Sequence, residues 1–271
     1  MTTIELVPKP ATIKKVIEES RDVKSYVLQM NRAQKMAARP GQFVEVSVQG
    51  FGEATFAVTR TAKDKTDFTI SVKRMGHLTK MLHRAAPGDV VGVRGPYGNS
   101  FPVDAWKGNG IVVIGGGIGL APLRPVIDHI LQHRTNFGKL EIIFGARTPD
   151  DILYKEDLRI WENDKSIALH TTIDVPFEGW SGRVGVVPVV VKDLAPRPDN
   201  KIAIVCGPPI MIKFTAAALR ELKWPGNRVY TTLEMKMQCG IGQCGRCNIG
   251  EKFICKDGPV FSLDQIPEHA L

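Results

Sequence analysis

The sequence predicts a multidomain β + α/β protein: an N-terminal antiparallel β barrel, a parallel-sheet α/β domain and a small C-terminal module. Three observations predict it. The first hundred or so residues are short β-rich runs separated by Pro and Gly turns. From Gly110 the pattern changes to apolar strands that lead into helices, the mark of a parallel sheet covered on both faces. Four of the five cysteines fall between Cys239 and Cys255. With 271 residues, 43% of them hydrophobic, the chain is long enough for two compact domains and an appendage, at roughly 100–200 residues per domain. The boundaries expected are 1–105, 106–232 and 233–271.

The barrel rests on runs at 25–30, 42–48, 67–72 and 89–93. The second alternates apolar and polar residues with period two, and Pro40-Gly41 and Pro87-Gly88-Asp89 supply turns. In the next region, 111–114 leads through a glycine loop into a helix over 120–133, and 140–144 and 202–205 are further continuous apolar strands. From Met237 onward the chain is rich in Gly and Cys. That stretch is too short for a core of its own, so a metal centre is expected to organise it.

The formal charge of +8 would suit a nucleic-acid partner if the Lys and Arg were clustered. Groupings such as Lys14-Lys15 and Lys73-Arg74 are short, and no nucleic-acid motif accompanies them. The charge therefore reads as a solvated basic surface that suits anionic cofactors or an acidic partner. Met1 to Pro8 carry no basic region followed by an apolar stretch, and no window approaches the roughly 20 apolar residues of a membrane span. A cytoplasmic protein without membrane insertion is expected. In such a reducing compartment, clustered cysteines point to a metal centre rather than to disulfides.

Cys239, Cys244 and Cys247, followed by Cys255, have the C-x4-C-x2-C spacing of plant-type [2Fe–2S] proteins. Gly240, Gly242 and Gly245 allow backbone amides to turn inward toward sulfur. A four-cysteine zinc site usually has two C-x2-C pairs, and only Cys244 and Cys247 form one. A zinc-bearing interaction module is the alternative from another functional class. The second motif is Gly115-Gly116-Gly117-Ile118-Gly119 with Ala121-Pro122, a strand running through a glycine turn into a helix. Amides and the positive helix end there suit a pyrophosphate. It is not the usual GxGxxG fingerprint, because Leu120 stands where the third glycine would fall. The third motif, Cys206-Gly207-Pro208-Pro209 with Met211, follows another apolar strand.

In this order the motifs resemble the ferredoxin–NADP reductase superfamily over residues 11–265. The cysteine module and the stretch Cys255-Lys256-Asp257-Gly258-Pro259 narrow the resemblance. They are similar to the flavoprotein (gamma, or diaphorase) subunit of sulfhydrogenases and nickel–iron hydrogenases. Close relatives of that subunit are the flavin subunit of anaerobic sulfite reductase and the electron-transfer subunit of dihydroorotate dehydrogenase. The resemblance implies FAD on the barrel, NAD(P)H on a Rossmann-like domain and a [2Fe–2S] cluster on Cys239, Cys244, Cys247 and Cys255.

It also implies roles for particular residues. The family's first flavin motif falls on Ala54 to Ala57 and lacks its Arg and Ser here. Phe56 would cover the ring, and the amides of Ala57, Val58 and Thr59 would bond it. Val72 and the turn Gly76-His77-Leu78-Thr79 match the second flavin motif, where a helix start and a hydroxyl meet phosphates. Taken alone, that turn reads rather as an ordinary helix cap. Gly95-Pro96-Tyr97-Gly98 matches the turn closing the flavin domain, and equally a plain β-turn. Gly115, Gly116, Gly117, Gly119, Ala121, Pro122, Gly207, Pro208 and Met211 would hold the nucleotide. Cys206 would border the nicotinamide, and otherwise is a small core hydrophobe. Arg147, after the strand 142–144, would meet the adenosine ribose and accommodate a 2′-phosphate with help from Lys155, against Asp150 and Asp151.

The function expected is electron transfer between NAD(P)H and the iron–sulfur and catalytic subunits of a hydrogenase-type complex. The alternatives are a free-standing ferredoxin or oxygenase reductase and the flavin subunit of a sulfite reductase or dihydroorotate dehydrogenase.

Overall fold

The protein is described by a computed structural model that covers residues 6–31 and 35–267. Met1 to Glu5, part of the segment read above for a leader, lie outside the described residues. The chain forms two compact units.

The first unit comprises residues up to Glu18, Asp22–Phe101 and Leu233–Pro259. Its centre is a closed barrel of β1 (Lys9–Glu18), β2 (Val23–Met30), β3 (Phe43–Val48), β4 (Gly52–Thr61), β5 (Asp67–Lys73) and β6 (Val90–Tyr97), in the order β1-β2-β5-β4-β3-β6. The period-two pattern has the expected effect: Val44 and Val46 of β3 enter a core with Tyr26, Leu28, Phe68 and Ile70. Helix α1 (His77–Leu82) adds Leu78 and Leu82 to that core. β1 and β4 are the strands that alternation did not single out. Each carries a register shift, between Ile13 and Lys15 in β1 and between Val58 and Arg60 in β4. An extra residue of this kind interrupts the two-residue period.

The second unit comprises Glu19–Arg21, Pro102–Thr232 and the chain from Val260. Its sheet has the order β10-β9-β8-β7-β11-β12-β15, formed by β7 (Gly110–Gly116), β8 (Leu140–Ala146), β9 (Ile167–Ile173), β10 (Arg183–Val184), β11 (Lys201–Cys206), β12 (Val229–Thr232) and β15 (Val260–Ser262). All neighbours are parallel except β15, which pairs antiparallel with β12. Helices α2 (Leu120–Gln132), α3 (Lys155–Asn163), α4 (Val187–Leu194) and α5 (Pro209–Glu221) complete the unit. β7 and β8 are buried along their whole length, which explains their unbroken apolar sequences.

The C-terminal stretch is divided between the units. Leu233–Pro259, with the short hairpin β13 (Asn248–Ile249) and β14 (Lys252–Phe253) and helix α6 (Ile254–Asp257), belongs with the barrel, whereas β15 extends the parallel sheet. Among the described residues no helix is long and apolar enough to cross a membrane.

Candidate functional site: a cysteine loop and a sheet switch point

Thiol positions in the barrel unit follow from a loop of tight glycine turns. Gly240, Gly242 and Gly245 have φ of +75°, +77° and +73°, a conformation that side chains strain to adopt. The turns point amides at sulfur. Ile241, Gln243 and Cys244 donate N–H groups to Cys239 Sγ at 3.5, 3.2 and 3.4 Å, and Gly242 donates to Cys255 Sγ at 3.0 Å. Cys247 Sγ lies 3.3 Å from Cys255 Sγ, and the Cys244 side chain hydrogen-bonds Cys239. Among the described residues no three metal-binding side chains converge on one metal-sized point. The thiols stand as two pairs, 239/244 and 247/255, which is what two irons with two thiolates each require.

The loop also prepares the charge state. Burial pushes the Cys239 thiol up, but the N–H donors outweigh it and bring the group down to about 6. Burial and the Cys247 thiol push Cys255 up to about 12. One thiol of the set is thus readily ionised, and another needs a cation to ionise it. Cys247 and Cys255 are buried, Cys239 is half-buried and Cys244 is exposed.

The outer face of the barrel beneath this loop holds residues that sequence reasoning missed. Arg94 of β6 pairs with Glu53 of β4 through Nε–Oε1 at 2.7 Å and Nη2–Oε2 at 2.5 Å. Its Nη1 donates to the Cys239 carbonyl at 2.6 Å, and its Nη2 donates to the Gln238 carbonyl. The Tyr97 ring packs on Gly240 so closely that a Cβ there would lie 2.5 Å from it. Glu45 of β3 is 1% exposed and accepts a bond from Thr55 at 2.8 Å. The only sequence signal was charge within β-rich runs, which ordinarily marks a solvated face.

Elsewhere on the barrel, Phe56 is half-buried against the core, and Val58, Thr59 and Val72 are buried. The Val58 N–H, expected to be available to a flavin, donates instead to Gln42 O at 3.1 Å. Thr79 Oγ1 accepts the Met75 and Gly76 amides at 2.9 Å each and donates to Gly76 O at 3.1 Å. This is the helix-cap arrangement, with the hydroxyl closing its own turn. His77 is exposed and stacks with Phe51 at 5.4 Å between ring centroids, and Leu78 is buried beneath it.

In the second unit the chain proceeds outward from β7 through β8 to β9 and then crosses back to β11 on the other side of β7. Such a reversal leaves a crevice at the carboxyl ends of the two central strands, where open α/β sheets bind ligands. Gly115 and Cys206 are register partners at those ends. The following loops interlock: a Cβ on Gly119 would meet the Gly207 backbone, and Cβ atoms on Gly116 and Gly207 would both strike Met211. Ala121 and Pro122 are buried in the first turn of α2, and Pro208 caps α5. Cys206 is 4% exposed, with its sulfur 2.9 Å from Thr232 Oγ1. Arg147 is exposed just beyond β8. Thr148 Oγ1 engages Asp151 at 2.9 Å. The Asp174 carboxyl, raised by burial, is drawn down by Arg147.

Comparison with known proteins agrees with this arrangement. Family models match an oxidoreductase FAD-binding domain at residues 10–101, an oxidoreductase NAD-binding domain at 113–217 and the iron–sulfur cluster binding domain of dihydroorotate dehydrogenase B at 234–267. The sulfhydrogenase 1 gamma subunit of Pyrococcus furiosus is 39% identical, covering 86% of this chain and 82% of that protein. A probable electron-transfer subunit of dihydroorotate dehydrogenase B from Methanocaldococcus jannaschii is 32% identical over 96% of this chain and 91% of its own. A chain from the structure of the NADH-dependent reduced ferredoxin–NADP oxidoreductase superposes with a TM-score of 0.81 at 28% identity, covering 100% of this chain and 93% of that one. The chain belongs to the ferredoxin–NADP reductase-like family of FAD- and NAD-binding, iron–sulfur electron-transfer flavoproteins that includes the sulfhydrogenase gamma subunits and the dihydroorotate dehydrogenase B electron-transfer subunits.

Proposed function

We propose that this chain passes electrons between NAD(P)H and the iron–sulfur and catalytic subunits of a hydrogenase-type complex. In this reading Cys239, Cys244, Cys247 and Cys255 hold a [2Fe–2S] cluster. The turn at Gly76 to Thr79 and Phe56, Ala57 and Thr59 of β4 would hold FAD, the Val58 amide being taken by Gln42 O, and the β7/β11 switch point would hold the dinucleotide. When bound, the nicotinamide supplies electron pairs as hydride, and the flavin can release them singly to iron–sulfur centres. The observation that carries the reading is the pairing of the four thiols beneath inward-turned amides.

The chain's own groups bind and position. Amides of the loop after β7 and the start of α2 would hold the pyrophosphate. Cys206, at the carboxyl end of β11 beside Gly115, would border the nicotinamide with a compact side chain. Cys244, the exposed ligand, gives the partner's centre its approach. Similar proteins named as subunits of sulfhydrogenase and of dihydroorotate dehydrogenase B support a permanent partner, and the higher identity to the former favours hydrogenase chemistry.

Anaerobic native purification with identification of the bound subunits tests this. Hydrogenase-type subunits are the expected result. Co-purification of a dihydroorotate dehydrogenase or sulfite reductase catalytic subunit would replace the partner. A chain that purifies alone and reduces a ferredoxin would be a free-standing reductase.

A further inference from the structure

We propose that Arg94, held by Glu53, is a positioning residue that raises the reduction potential of the cluster; this rests on the cluster assignment above. The Arg94 side chain is 7% exposed and the Glu53 side chain 25%. Arg94 reaches the carbonyls of Gln238 and of Cys239, so its charge lies against the backbone of a residue that would carry a cluster sulfur. By drawing those carbonyls toward the barrel it also fixes the start of the loop whose next amides face sulfur.

An ion pair whose arginine is buried contributes little net stability compared with apolar packing. Its effect falls on the loop it touches. One-electron reduction adds one negative charge to the cluster. A cation held nearby in a water-poor site favours that added charge, because the interaction is screened far less than in water. Glu53 holds the Nε and Nη2 edge of the guanidinium while Nη1 reaches the Cys239 carbonyl, so the cation is the member of the pair in contact with the loop. Cluster potentials respond to net charge, to hydrogen bonds at sulfur and to solvent exposure, and Arg94 acts on the first directly and on the second through the loop.

The test is an electron paramagnetic resonance redox titration of the full chain with its cluster, at about pH 8, alongside iron and sulfide analysis. Arg94→Gln removes the cation and leaves the carboxylate, and is expected to disfavour reduction at least tenfold, a downward shift of about 59 mV for one electron. Glu53→Gln removes the carboxylate paired with Arg94, leaves Glu45 in place as in the wild type, and is expected to shift the potential upward. Arg94→Lys is expected to recover most of the wild-type value. A purely structural clamp would move both glutamine variants the same way or neither, and either result overturns the proposal. If Arg94→Gln fails to assemble a cluster, Glu53→Gln decides: an upward shift supports the proposal, and a downward or absent shift overturns it. A wild-type chain without the cluster signal would instead refute the ligand assignment on which the proposal rests.

Discussion

Gly119 and Gly207 approach so closely that a Cβ on Gly119 would stand 2.5 Å from the Gly207 nitrogen and α-carbon. The φ of Gly119 is −61°, so alanine is excluded there by contact and not by backbone conformation. Gly117 is the converse case, with φ +53° and open space around it. Gly119→Ala should therefore push the two loops apart, at a cost of roughly 1–3 kcal/mol, and weaken NADH binding. Gly117→Ala should cost only about 1 kcal/mol of left-handed strain. Thermal denaturation and nucleotide titration check the order, and equal effects would contradict the interlocking of the loops.

The Cys206 sulfur, 2.9 Å from Thr232 Oγ1, separates two roles that burial alone confounds. Cys206→Ala is expected to slow flavin reduction by NADH at least tenfold, about 1.4 kcal/mol of barrier. Thr232→Val removes only the hydrogen bond, with a stability loss of about 1 kcal/mol and little change in rate. Rapid-mixing kinetics of flavin bleaching distinguishes them. Unchanged rates in both variants would make Cys206 a core residue.

In the proposed dinucleotide site Arg147 would meet a ribose 2′-phosphate; Asp151 is bonded by Thr148, and Asp174 lies within reach of the Arg147 charge. Loss of a charge-assisted contact worth roughly 1.5–3 kcal/mol predicts that Arg147→Ala lowers kcat/KM for NADPH at least tenfold and for NADH little. Asp174→Asn should favour NADPH by removing a competing negative charge. Equal losses with both nucleotides in Arg147→Ala would assign the arginine to the shared pyrophosphate or to the fold.

Glu45 makes stability depend on pH. Burial pushes its carboxyl from the ordinary 4.5 up to about 7, against the Thr55 hydrogen bond and the Arg94 charge, which both lower it. Between these values the folded chain holds a proton that the unfolded chain has released. Its contribution is complete below about pH 4.5 and is lost as pH rises through about 7, by roughly 3 kcal/mol at most. Denaturant titrations between about pH 5 and 8 should show a decline that Glu45→Gln flattens. A decline that persists in Glu45→Gln would assign it to other groups.

What the sequence made legible was local. The cysteine spacing and its glycines lie in one loop, so ligand chemistry could be read from neighbours. The β7 and β8 strands were equally plain, because burial on both faces leaves an unbroken apolar run. β1 and β4 were obscured by their bulges, and β9, with His170, Thr171 and Thr172, has no such run to show. Glu45 alternates with Val44 and Val46 and so reads as solvent-facing. It is 1% exposed, and its register partner Arg94 donates to the Cys239 carbonyl, 145 residues further along the chain. Arg124 likewise looks like a surface residue of α2, yet it is buried against Asp157 of α3, with Nε–Oδ2 at 2.8 Å. Pairings that cross the chain leave no period in the sequence.

The central claim is that four paired thiols hold one [2Fe–2S] cluster in a flavoprotein. Its most direct measurement is the visible and electron paramagnetic resonance spectrum of anaerobically purified wild type and Cys244→Ala, with metal analysis. The account predicts flavin bands and a plant-type signal in the wild type, with iron and sulfide at about two each per chain. In Cys244→Ala the flavin bands remain and the signal is lost. A colourless wild type containing zinc, or a full plant-type signal in Cys244→Ala, would contradict it.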